Sequence, residues 1–204
     1  LLRGFCKPDK LAKKCVEYNY DFCVLSDINT LSGAVDFSKA CKDNGIKPII
    51  GYDTESFLLI AKNKNGWLDL IKYSSSEKTI DDLKAVAKNK NVIFVTPKSD
   101  SSHRKLWSNN YYCYNYDKDS VYYVTKDESD LHRILLCSGM KTTIPKVNSK
   151  IQKGEDFDNK RFFTTDSFYL KKPKTVPQAQ KKLHQALIDC EDYDITGKPM
   201  LPRR

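Results

Sequence analysis

Residues 22 to 52, FCVLSDINTLSGAVDFSKACKDNGIKPIIGY, constrain the chain most, because they read as strand, loop, helix and strand in a single βαβ unit. Phe22, Cys23, Val24 and Leu25 form a short apolar run that ends at Ser26-Asp27, and Gly33, Gly45 and Pro48 punctuate the stretch beyond it. Ala34, Phe37 and Cys41 recur at helical spacing, with Lys39, Lys42 and Asp43 on the other side. Gly45 suits the left-handed position after a helix, and Ile46 to Ile50 begin a second apolar strand closed by Gly51. A parallel pair joined by a helix exposes the carboxyl ends of its strands, where α/β proteins place chemistry; here those ends carry Asp27 and Asp53.

The rest of the chain continues the alternation. Pro8, Leu11, Cys15 and Val16 mark a first helix with proline in its opening turn. Asp53-Thr54-Glu55 turns into an apolar strand, Phe57 to Ala61, suited to burial on both faces. A loop from Asn63 to Gly66 is expected before a helix with Trp67, Leu70 and Ile71 inward, then a helix with Ile80, Leu83 and Ala87 inward, capped by Thr79 and Asp82. Val92 to Val95 is a strand and Pro97 to Ser102 a polar loop. Val121 to Thr125 reads as a further strand, and Asp127 opens a helix carrying Leu131, Ile134 and Leu135 that stops at Gly139. Residues 141 to 160 read as loop, Phe162, Phe163, Phe168 and Tyr169 as a local cluster, and a last helix from Pro177 presents Leu183, Leu187 and Cys190. Such alternation argues one α/β domain with a largely parallel sheet, the strands near Phe22, Ile46, Phe57 and Val92 being parallel neighbours.

Charge and composition narrow the function. The 204 residues carry 35 Lys and Arg against 26 Asp and Glu, a net charge of +9 that favours an anionic partner such as nucleic acid. Tyr111, Tyr112, Tyr114 and Tyr116 offer rings for base stacking, but the β-propensity of tyrosine favours reading them as strand residues. Cys6, Cys15, Cys23, Cys41, Cys113, Cys137 and Cys190 are odd in number and scattered, and read as reduced core filler in a chain expected to be intracellular. No apolar run of transmembrane length and no secretory pattern is present. Dinucleotide, P-loop, serine-hydrolase and zincin motifs are missing, and His103, His132 and His184 are too far apart in sequence to suggest a ligand set.

The central stretch resembles the PHP (polymerase and histidinol phosphatase) domain at the N-terminus of the bacterial C-family replicative polymerases, the DNA polymerase III alpha subunits. The family's Thr-Asp-His-Gly-Asn stands here as Ser26-Asp27-Ile28-Asn29, its Gly-Ala-Val-Glu-Phe as Gly33-Ala34-Val35-Asp36-Phe37, and its Gly-Ile-Lys-Pro-Ile-Ile-Gly as Gly45 to Gly51. The likeness continues through Leu59-Ile60-Ala61-Lys62-Asn63, Gly66 and Leu70-Ile71-Lys72. It returns at His132 to Cys137, at Phe168 to Lys171, and at Leu201-Pro202, which is similar to the exit into the polymerase palm. Leu1 to Gly4 is similar to the piece just after the family's first metal motif.

The resemblance implies a distorted seven-stranded β/α barrel spanning residues 1–198, with residues 199–204 as a linker toward the palm. It also implies a cluster of zinc, manganese or magnesium ions at the strand ends, able to activate water against phosphoesters. This chain departs at the ligand positions: Ile28 stands for a histidine, Asp53 for a glutamate and Ser56 for another histidine, and the late Asp-x-His falls near Val124-Thr125-Lys126. The expectation is therefore a vestigial site at Asp27, Ile28, Asp53 and Ser56, with no catalytic residue and no cofactor in this domain. The implied role is structural, within the cytoplasm of a bacterial or phage-infected cell. Its implied partners are the remainder of the polymerase, a proofreading exonuclease, and DNA held weakly by Lys171, Lys172, Lys174, Lys181, Lys182, Arg203 and Arg204. Richness in Lys, Asn, Tyr and Ile suggests an A+T-rich genome, and a phage polymerase would tolerate the divergence at the ligand positions. Two other readings stay open: an active metal-dependent phosphoesterase or 3'-5' exonuclease using ligands upstream of Leu1, and a basic nucleic-acid-binding module.

Overall fold

The computed structural model describes residues 4, 6–116, 120–139, 141–153 and 169–196. They fall into two compact units, one from residues 1–19 with 116–174 and one from residues 20–115 with 175–204.

The larger unit is built on the βαβ motif. Strand β1 (Phe22–Ile28) and strand β2 (Lys47–Asp53) pair in parallel, Phe22 against Lys47 through Ile28 against Asp53, with helix α2 (Ala34–Asp43) crossing between them. Ala34, Phe37 and Cys41 bury against the sheet as their spacing predicts, and Gly45 takes φ +74°, the left-handed turn that ends the helix. Strand β3 (Leu58–Ala61) comes next in the chain, and all four of its residues are buried. Helices α3 (Lys64–Ser75) and α4 (Ile80–Asn89) lead into strand β4 (Val92–Thr96). Helix α5 (Ser101–Trp107) and strand β5 (Tyr111–Cys113) complete a five-stranded sheet in the order β1-β2-β3-β4-β5. Helix α8 (Lys181–Ile188) belongs to this unit as well.

Four strands run one way, but β3 runs against both β2 and β4, where a parallel strand was expected. The turn at residues 54–57 is the reason, since a parallel crossover needs about a dozen residues or more and a short hairpin turn can only reverse the chain. Three further expectations on this unit are corrected. Residues 63–66 are the cap and first turn of α3 rather than a loop, because the Asn63 side chain accepts the Gly66 N–H at 2.9 Å. The stretch 97–102 is not all loop, since Asp100 caps α5 by accepting from Ser102 and His103, and α5 packs His103 and Trp107 against Phe94. On α3 and α4, Ile71 and Ile80 lie exposed while Tyr73 and Val86 are buried beside the expected residues.

The smaller unit contains helix α1 (Pro8–Glu17), helix α6 (Ser129–Gly139) preceded by a 3-10 turn at Lys126–Glu128, and helix α7 (Ile144–Lys153). The strand expected at 121–125 is only a single parallel bridge, Tyr123 to Tyr169. Glu128 explains this: its Oε2 accepts both the Val124 and Thr125 N–H groups at 2.9 Å, which removes them from any ladder and closes a capping box with Thr125. On α6 the buried residues are His132, Leu136 and Cys137, whereas Leu131 and Ile134 are exposed. His132 turns the helix this way by stacking on Tyr122 at 5.6 Å and 8° and packing on Tyr123. Residues 144–153, expected as loop, are helix α7, with Pro145 in its opening turn and Val147 buried. Phe162, Phe163, Phe168 and the exit residues 197–204 lie outside the described residues.

The cysteines are free thiols, and five of them, Cys15, Cys23, Cys41, Cys137 and Cys190, are buried as expected of core filler. Burial pushes the Cys6 thiol up to about 12 and the Cys190 thiol up to about 11, so neither is a nucleophile at neutral pH. Among the described residues, no helix is long and apolar enough to cross a membrane.

Candidate functional site

The carboxyl ends of β1 and β2 meet where the sequence placed its candidate chemistry. Ile28 is the register partner of Asp53, and Asp27 that of Tyr52. Side chains alternate between the faces of a sheet while register partners share one, so Ile28 and Asp53 lie on one face and Asp27 on the other. Asp27 and Asp53, paired at the strand ends by sequence reasoning, are thus separated by the pleat.

Each acid is fixed by its own surroundings. Asp53 is buried at 5% exposure, and its Oδ1 accepts the Glu55 N–H at 2.7 Å. Its carbonyl accepts the Asn29 N–H at 2.8 Å, which joins the two strand ends across the mouth of the sheet. Asp27 faces α2: a Cβ at Gly33 would stand 3.1 Å from its Oδ2, so the small residue at the helix start makes room for the carboxylate. Burial pushes the Asp27 carboxyl upward. Ser56 lies exposed in the turn and donates its backbone N–H to Thr54 Oγ1 at 3.4 Å.

Two residues contribute here that sequence reasoning missed. Glu55 sits at φ +72° and Asn29 at φ +55°, both in the left-handed region, and each donates its N–H to Asp53, Glu55 to Oδ1 and Asn29 to the carbonyl oxygen. Asn29 also accepts from the Tyr52 hydroxyl at 3.4 Å, and Tyr52 packs edge-on against Tyr73 with the Lys78 ammonium 5.8 Å from its ring centroid. A signal for Asn29 was present, since asparagine tolerates the left-handed region better than other residues; Glu55 gave none.

A divalent cation fits this arrangement poorly. Zinc, manganese and magnesium need several nitrogen or oxygen donors converging from different strand ends, and the position facing Asp53 across the register holds the hydrocarbon of Ile28. The other family positions contribute little: Ser56 points its backbone into its own turn, and in the smaller unit Val124 is buried, Thr125 caps a helix and Lys126 is exposed.

The expected nucleic-acid lysines divide between the units. Lys171, Lys172 and Lys174 are exposed in the smaller one, where Lys171 lies over the Tyr169 ring and Lys172 over the Tyr18 ring. Lys181 and Lys182 are exposed on α8 in the larger one, and Arg203 and Arg204 lie outside the described residues.

Residues 1–197 match the PHP domain family. Over 96% of its length the chain is 26% identical to a DNA polymerase III subunit alpha of Ureaplasma parvum, of which it covers 21%. It is 34% identical over 84 residues to the corresponding subunit of Halalkalibacterium halodurans, covering 37% of this chain and 8% of that protein. Over 51 residues it is 49% identical to that of Chlamydia muridarum, covering 25% of this chain and 4% of that one. The chain therefore spans about a fifth or less of the length of these relatives.

Proposed function

The chain belongs to the PHP domain family, and from that premise we propose that it is the N-terminal domain of a C-family replicative DNA polymerase whose strand-end metal site no longer holds metal. The observation that carries this is Ile28 in register with Asp53: hydrocarbon stands where an imidazole would bind, and the remaining carboxylate is engaged by its own turn.

The role left to the domain is structural. Residues 1–198 form one domain, the five strands described here are part of the family's distorted seven-stranded barrel, and residues 199–204 lead toward the polymerase palm. The domain braces the catalytic part of that chain and offers a docking surface to a proofreading exonuclease. It acts in DNA replication in the cytoplasm of a bacterium or a phage-infected host. Lys171, Lys172, Lys174, Lys181, Lys182, Arg203 and Arg204 add a weak, salt-sensitive attraction for DNA.

Assays of the 204-residue chain for nuclease and p-nitrophenyl phosphate hydrolysis, with manganese, zinc or magnesium from neutral to alkaline pH, test the loss of chemistry. No turnover above background is expected, and Ile28→His alone gains none because the other ligands stay absent. Turnover that Asp53→Ala abolishes would restore the family's hydrolase activity to this chain.

A further inference from the structure

Strand β5, at one edge of the described sheet, borders an open groove of about 320 Å3 whose lining includes Arg104, Tyr111, Tyr112, Tyr114 and Lys182. That volume is at the low end of the roughly 300–1,000 Å3 typical of small-ligand sites, which leaves room for a nucleotide-sized unit. Arg104 and Lys182 are both exposed and bring two cations, and no carboxylate is among the lining residues.

The aromatic part is held in place before any ligand arrives. The Tyr111 hydroxyl accepts the Asp100 N–H at 2.8 Å, and its ring stacks on Phe94 at 5.8 Å and 14°. The Arg104 guanidinium lies 5.5 Å from the Tyr111 centroid and reaches Ser99 Oγ at 3.4 Å. Tyr111 gives a fixed ring with a cation against it, and Tyr112, on the opposite face of β5, and Tyr114, one residue beyond the strand, give the groove two further rings.

The geometry points to a single-stranded polynucleotide as the ligand of this groove, with phosphates on Arg104 and Lys182 and bases against the tyrosine rings. Either an acidic peptide or a polynucleotide would satisfy the cations, but only the bases use the rings as stacking partners, and only in a single strand are their faces free to do so. The assignment deepens the proposed contact with DNA, with which it shares Lys182.

The test is fluorescence anisotropy of the 204-residue chain with labelled oligo-dT, oligo-rU, an abasic oligomer of equal length, a duplex and poly-glutamate. Arg104→Glu with Lys182→Glu is expected to weaken dT binding about tenfold or more, and Lys39→Glu, on exposed α2 surface, to leave it unchanged. Tyr114→Leu is expected to weaken dT about fivefold or more while sparing the abasic oligomer, with Tyr114→Phe close to wild type, which separates stacking from misfolding. A preference for dT or for rU identifies which polynucleotide the groove serves. Duplex or poly-glutamate binding as tightly as dT would overturn the proposal, as would equal effects of Tyr114→Leu and Tyr114→Phe. Weakening by Lys171→Glu, Lys172→Glu and Lys174→Glu, with none from the groove variants, would overturn the groove and leave the wider electrostatic reading standing.

Discussion

Gly66 shows how single residues in this chain are decided by contacts that lie far along the sequence. It sits in the first turn of α3, and a Cβ built there would stand 2.2 Å from the Asn91 carbonyl oxygen. That oxygen cannot withdraw, because it accepts the Lys62 N–H at 2.9 Å. Replacing glycine by alanine inside a helix ordinarily gains up to about 1 kcal/mol, but the clash is with backbone and outweighs this. Gly66→Ala is therefore expected to destabilise the protein by about 1–3 kcal/mol, read as a lower midpoint in urea unfolding; an unchanged or raised midpoint would show that the backbone can yield. Gly66 was visible in the sequence as part of a motif, but its reason was not, since nothing local to it names Asn91. Ile28 is the opposite case: the residue type alone, at a strand end, already argued against a metal ligand, and the register added its partner Asp53.

At the scale of elements, Glu128 ties the 121–128 turn to α1 within the smaller unit. It closes the box with Thr125 and receives Lys10 of α1 on its Oε1 at 2.6 Å. Burial acts to raise its carboxyl, but Lys10 and the Thr125 and Val124 N–H groups more than offset this and hold it below the ordinary glutamate value of 4.5. A carboxyl lowered in the folded state contributes stability that is present above the unfolded value and lost as pH falls through the folded one. Glu128→Gln keeps the shape and loses the charge; it is expected to cost about 1–2 kcal/mol at pH 7 and to flatten the decline in urea midpoint below about pH 4.5. A variant as stable as wild type at pH 7, with the same acid decline, would show that the charge contributes nothing. The Thr79–Asp82 box was legible because its residues stand three apart at the start of a periodic helix, and the structure bears it out. The Thr125–Glu128 box was missed because Val121 to Thr125 has the composition of a strand, and composition does not show that a carboxylate takes the N–H groups a ladder would need. The reversal at β3 was legible in principle, since a turn as short as 54–57 decides strand direction more firmly than the apolar run beyond it.

For the whole molecule, the βαβ unit set the frame, and its parallel pair, crossover helix and strand-end acids stand where the sequence put them. What the pattern left open was how the ends of those strands face one another, which depends on register and pleat and divides Asp27 from Asp53. The central claim is that a member of the PHP family keeps the sheet and has lost the ion cluster at its end. Manganese separates the possibilities best, because it prefers oxygen and nitrogen donors and the free thiols would confuse a zinc titration. Calorimetric titration of the 204-residue chain with manganese at neutral pH is expected to show no stoichiometric uptake, with Asp53→Ala indistinguishable from wild type. Uptake of one or more equivalents that disappears in Asp53→Ala would contradict the account.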